Sequence, residues 1–169
     1  MATHIAENSM LNLALRALQV IFAIIIMGTD GYAINVYRGH TSFVDTPWGG
    51  YEGYFGVPNA WGFLIFCAGW TVLVVIFYYV AEKALTRHLW VGYIRIAVEA
   101  IALLSWFAGW IAVAVNIGTG ACADSYVSCG ALKAATVFGA FEWLLFMVTA
   151  FFTVSWFFYT KRQAAMFET

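Results

Sequence analysis

Charge is what this chain has least of. Eight Lys and Arg and nine Asp and Glu make only 10% of 169 residues, where a soluble domain carries about a quarter. That leaves too few charged groups to coat an ordinary globule. A net charge of −1 without a basic stripe gives no hint of nucleic acid, and no such partner is expected. Proline is nearly absent. Pro47 and Pro58 stand together between two apolar runs, so no run is broken midway. The interrupted helices that mark many transporter sites are therefore missing. His4, His40 and His88 all lie outside the apolar runs. No Ser–His–acid set, phosphate-cradling glycine loop or metal-ligand spacing occurs. An enzyme, a metal and a cofactor are not expected. The first nine residues, MATHIAENS, hold no Lys or Arg, and the run after them is too long for the core of a cleavable signal. The first span is expected to act as an uncleaved anchor.

What the chain has in excess is apolar length. Hydrophobic residues make up 63% of it, gathered in four runs at about 11–36, 59–81, 89–117 and 131–159. A helix of about 20 residues crosses a hydrocarbon layer of about 30 Å. Inside lipid, only a helix or a closed barrel satisfies its own backbone. The expected fold is an all-α integral membrane protein, a four-helix bundle filling residues 1–169 as one domain, with no linker left over.

Charge at the helix ends orients such a bundle. Lys83 and Arg87 lie between spans two and three, and Lys161 and Arg162 follow span four. The other two loops carry Asp45, Glu52 and Asp124. Both termini are expected in the cytoplasm, with Arg16 snorkelling toward that side. The four basic residues then form a rim suited to anionic lipid, at about 1 kcal/mol per charge. Cys122 and Cys129 bracket the short outer segment CADSYVSC. In an oxidising compartment a disulfide between them is the expected state, with two free thiols the other reading. Cys67, near the middle of span two, reads as a small packing residue.

Ionisable groups at membrane depth are costly and carry a functional hypothesis. Arg95 and Glu99 are four apart on span three and can pair along it. Arg16 falls at similar depth, so the three form a candidate charge cluster joining spans one and three. Asp30 and Glu142 are two further intramembrane acids, readable as steps of an ion or proton path. Ser105 with Gly109, and Ala131, Ala135 and Gly139, recur every four residues, a spacing that lets helices approach closely. They serve either packing inside the bundle or self-association. The first outer loop is rich in Gly and aromatics, and Trp48, Tyr51, Tyr54, Phe55 and Trp61 are candidates for the lipid interface. The other readings are a loop packed over the bundle mouth and a partner-binding surface.

Three tetraspan families fit four spans with short loops. The claudin cysteines are missing from the first outer loop, and the large cysteine-rich second loop of tetraspanins is missing too. The local wording resembles the MARVEL-domain family, which commonly places a cysteine pair between spans three and four, and in particular its fungal branch with the non-classical export protein. The segments that carry this are RALQVIFAIIIMG at 16–28, AIALLSWFAGWIAVAV at 100–115 and LKAATVFGAFEWLLFMVTA at 132–150. The resemblance implies an M-shaped bundle in the plasma membrane or vesicles, in sterol- or sphingolipid-rich regions, with no catalytic residues. The expected function is membrane organisation, in microdomains, membrane apposition or vesicle traffic, through lipid contact and self-association. The rivals are a small channel or transporter subunit using Asp30 and Glu142, and an accessory subunit of a larger membrane complex.

Overall fold

The computed structural model describes residues 9–37, 41–44, 47–54, 59–84, 89–117 and 128–167. Four long helices hold nearly all of them: α1 (Ser9–Tyr37), α2 (Asn59–Ala84), α3 (Leu89–Asn116) and α4 (Ser128–Phe167). Each contains a stretch long and apolar enough to cross a membrane. The helices form a ring. α1 and α3 each pack on α2 and α4, and face one another across the centre. α4 runs further than its apolar stretch requires, because KRQAAMF after Thr160 contains neither Gly nor Pro to stop it.

The inward residues follow one rule. On α1 they are Arg16, Gln19, Ala23, Ile26, Asp30 and Ala33; on α4 Leu132, Ala135, Glu142, Phe146 and Thr149. Steps of three and four residues define a heptad seam, as in left-handed bundles. Glu99, Ala102, Trp106 and Val113 continue it on α3, and Trp61, Leu64, Ala68 and Thr71 on α2. The outward positions are apolar as well, among them Ile21, Ile24, Phe66, Leu73, Leu104 and Phe151, while the largest buried side chains are Trp61, Trp106 and Phe146. Apolar groups thus occupy both faces, unlike the soluble pattern, and lipid explains why. Acyl chains are as apolar as Leu, so apolar surface gains little by turning inward. Close packing and hydrogen bonds decide instead, and they bring the polar residues and several small ones to the seam beside Trp61, Trp106 and Phe146.

The small residues accordingly pack within one copy. A methyl group at Gly139 would lie 3.2 Å from Trp110 Cβ, and one at Gly109 3.3 Å from Leu64 Cδ1. Ala135 is buried, and Ala131 and Ser105 are half-buried. Cys67 is buried and free, and its thiol donates to the Ser105 carbonyl at 3.5 Å.

Between α1 and α2 stands a hairpin with no counterpart among the sequence expectations. β1 (Thr41–Val44) pairs antiparallel with β2 (Tyr51–Tyr54), Thr41 opposite Tyr54 and Val44 opposite Tyr51. Gly49 turns the chain at φ +121°, a conformation open chiefly to glycine. The hairpin makes no substantial packing against any helix, so its described part does not roof the bundle.

Candidate functional site: polar side chains inside the bundle

Near the end of the bundle shared by Ser9 and Phe167, five polar side chains from all four helices meet. Arg16 forms an ion pair with Glu99 across the centre, 7% and 2% of the two side chains remaining exposed. Arg16 Nη1 also donates to Gln19 Oε1 at 3.1 Å. The other Glu99 oxygen accepts from the Thr149 hydroxyl at 3.2 Å, and Gln19 Nε2 donates to that hydroxyl at 3.4 Å. Tyr78 closes the layer from α2. Its ring lies 4.0 Å from the Arg16 guanidinium carbon, a cation–π stack, and its hydroxyl donates to the Arg95 carbonyl at 3.3 Å. Charge-assisted bonds are the strong ones, and cation–π contact adds up to about 2 kcal/mol when desolvated.

The three-residue cluster expected at this depth is therefore a pair. Glu99 turns to Arg16 on α1. Arg95 is half-buried, its guanidinium carbon lies 5.4 Å from the centre of the same Tyr78 ring, and its Nε has no partner. Positions four apart can pair, but Glu99 lies on the inward seam while Arg95 sits at its margin. Gln19, Thr149 and Tyr78 were not singled out by sequence. The signal that finds the first two is their place on the seam with Arg16 and Glu142.

Higher in the bundle, Trp106 Nε1 donates to Thr71 Oγ1 at 3.0 Å, and Thr71 donates to the Cys67 carbonyl at 3.1 Å. Here lie the two other acids. Helix rise sets Glu142 about 10 Å from the Thr149 level and Asp30 about 16 Å from the Gln19 level. Both are fully buried. None of their four carboxyl oxygens has a hydrogen-bond partner, and the Trp110 indole N–H lacks one too. Among the described residues the Arg16–Glu99 ion pair is the only one, and no group of three or more His, Cys, Asp or Glu could hold a metal.

The remaining candidate residues scatter. Trp61 was expected at the lipid interface but is 1% exposed. It opens the α2 seam three residues before Leu64, so the seam turns it inward. Trp48 near the hairpin turn is 96% exposed. Tyr51 and Tyr54 occupy strand positions, and Phe55 lies outside the described residues. Lys161 and Arg162 are exposed on α4. Lys83 lies in the last turn of α2, while Arg87 lies outside the described residues. Cys129 is half-buried in the first turn of α4, and Cys122, its expected partner, lies outside the described residues.

Comparison with known proteins supplies one finding. The sequence pattern of the MARVEL family, a membrane-associating domain, matches residues 9–152. No curated protein and no solved structure matches the chain.

Proposed function

The chain belongs to the MARVEL family of membrane-associating domains, and from that premise we propose that it organises membrane through its outer surface and performs no reaction. The observation that carries this is the partition of its side chains. Apolar side chains cover the outside of all four helices, while Arg16, Gln19, Glu99 and Thr149 close on each other inside. The working surface is then the lipid-facing one, which holds sterol- and sphingolipid-rich membrane and further copies of the chain. Because Gly109, Ala135 and Gly139 are spent on internal packing, self-association uses the bulky outward residues.

The plasma membrane, vesicles as a second location, cytoplasmic termini and a Cys122–Cys129 disulfide complete this proposal. A place in the fungal branch, with the non-classical export protein, is part of the same proposal and rests on the wording of residues 16–28, 100–115 and 132–150. The test is native mass measurement of the full chain in lipid nanodiscs, with retained lipids identified. Several copies with sterol or sphingolipid retained are expected. A single copy that retains neither would overturn it.

The partnerless carboxyls of Asp30 and Glu142 favour a second reading, a small channel or transporter subunit. Proteoliposomes loaded with a pH dye decide between them. Proton or cation flux that disappears in Glu142→Gln would establish the second reading and displace the first. The accessory-subunit reading predicts a lone copy beside a larger membrane complex.

A further inference from the structure

α4 outlasts its neighbours. Thr149 meets Gln19 of α1 and Glu99 of α3. From that level α1 and α3 each run about 10 more residues and α4 about 18. At 1.5 Å per residue, α4 projects about 12 Å beyond the plane where the described parts of α1 and α3 end. Tyr159 stands in that plane.

A groove of about 400 Å³ crosses it, lined by Val154, Ser155, Phe158, Tyr159 and Arg162. These positions share one face of α4. Their chemistry changes with depth. Val154 is apolar and lies deepest, and Phe158 follows about 6 Å further out, between Ser155 and Tyr159. Ser155 is level with the outer edge of a hydrocarbon layer about 30 Å thick centred on the bundle. Arg162 stands about 10 Å further out. The Tyr159 hydroxyl accepts from Gln163 Nε2 at 2.6 Å, which leaves its own hydrogen to donate. Among the described residues, the Ser155 hydroxyl and the Arg162 guanidinium have no hydrogen-bond or ionic partner.

A face with apolar Val154 at its deep end, hydroxyl donors at Ser155 and Tyr159 and an unpaired guanidinium at its outer end matches one molecule in depth order. We propose that it binds an anionic phospholipid from the leaflet at this end of the bundle. The phosphate sits on Arg162, which can grip it through two parallel N–H groups, and on the Tyr159 hydroxyl. Ser155 donates to a glycerol-ester carbonyl, one acyl chain runs inward along Val154, and the Phe158 ring packs beside the glycerol backbone. This deepens the lipid-contact part of the proposed function and rests on it. It names one site and one charge class where a bulk apolar surface would take any lipid.

The test is lipid retention by the full detergent-purified chain, titrated with phosphatidylserine or phosphatidylcholine and read by native mass measurement. The variants are Arg162→Gln and Lys161→Gln. They remove the same charge from adjacent exposed positions, but Lys161 lies off the groove. Phosphatidylserine retention is expected to fall about tenfold in Arg162→Gln, the ratio that ~1.4 kcal/mol sets, and to hold in Lys161→Gln. Equal losses in the two variants would show diffuse charge attraction and overturn the site, as would no loss in either. Soluble glycerophosphate is expected not to displace the lipid. Displacement would make the ligand a free phosphate and overturn the lipid assignment. If the nanodisc result stands while this one fails, only the groove falls; if sterol, sphingolipid and copy number are lost while Arg162 dependence persists, only the organising role falls.

Discussion

The two polar levels of this bundle are built from the same kinds of residue and end in opposite states. At the lower level Glu99 has Arg16, Thr149 and, through Arg16, Gln19 and Tyr78. At the upper levels Glu142 and Asp30 have no hydrogen-bond or ion-pair partner. All three acids are buried on the seam, so burial alone does not decide a carboxyl group's role. The arginine does. Where a cation reaches the centre, an acid ties helices together, and where none does it remains a cost that the rest of the fold must carry. The first level reads as structure and the second as the place where chemistry or exchange could enter.

The largest effect expected from breaking this contrast is at Glu99. Glu99→Gln leaves the Arg16 charge buried without its counter-ion, which costs about 3–5 kcal/mol. Replacing both Arg16 and Glu99 by Met is expected to recover most of that loss, because no charge is then stranded. Reversible unfolding in mixed micelles measures both. A double variant as unstable as the single one would show that the pair contributes more than neutrality.

Gly139 asks whether the upper half is as tightly closed as the lower. Gly139→Leu drives a side chain into Trp110, Leu64 and Trp106, and overpacking of this kind costs about 1–3 kcal/mol. No loss of stability would mean that the upper half yields easily, and would favour a wet path past Glu142.

The difference between the levels also explains what sequence alone can tell. Four spans follow from length and apolarity, since few other structures satisfy a backbone in lipid. Which face turns inward does not follow from hydropathy, because the helices are apolar on every side. The seam of Arg16, Gln19, Ala23, Ile26, Asp30 and Ala33 carries that information as small and polar residues at heptad steps. Trp61 was misplaced because a Trp at a helix start suggests a headgroup anchor, although its spacing to Leu64 and Ala68 points inward. Arg95 was joined to Glu99 by local spacing, and the cross-bundle partner Arg16 won through position on the seam. Cross-helix partners such as Thr149 depend on helix register, which no single run reveals.

Glu142→Gln and Asp30→Asn sharpen the comparison from its other side. Each amide keeps the volume of the acid and removes a carboxyl that no ion pair holds, so stability is expected to fall far less than in Glu99→Gln, or to rise. A loss near that of Glu99→Gln in the same micelle assay would erase the distinction between the two levels.

The smallest effect is expected outside the bundle altogether. Trp48 is almost fully exposed near the turn of a hairpin that does not lean on the helices. A two-stranded hairpin is marginal by itself, and its stability adds little to a ring of helices it barely touches. Trp48→Ala is therefore expected to leave unfolding of the bundle unchanged within error while altering the fluorescence of an exposed indole at the bilayer surface. A blue-shifted Trp48 signal, isolated as the parent-minus-variant spectrum in vesicles, would put the indole in the headgroup layer. An unshifted signal together with a drop in bundle stability would mean that the hairpin folds back onto helix ends, and its separation from the polar levels would no longer hold.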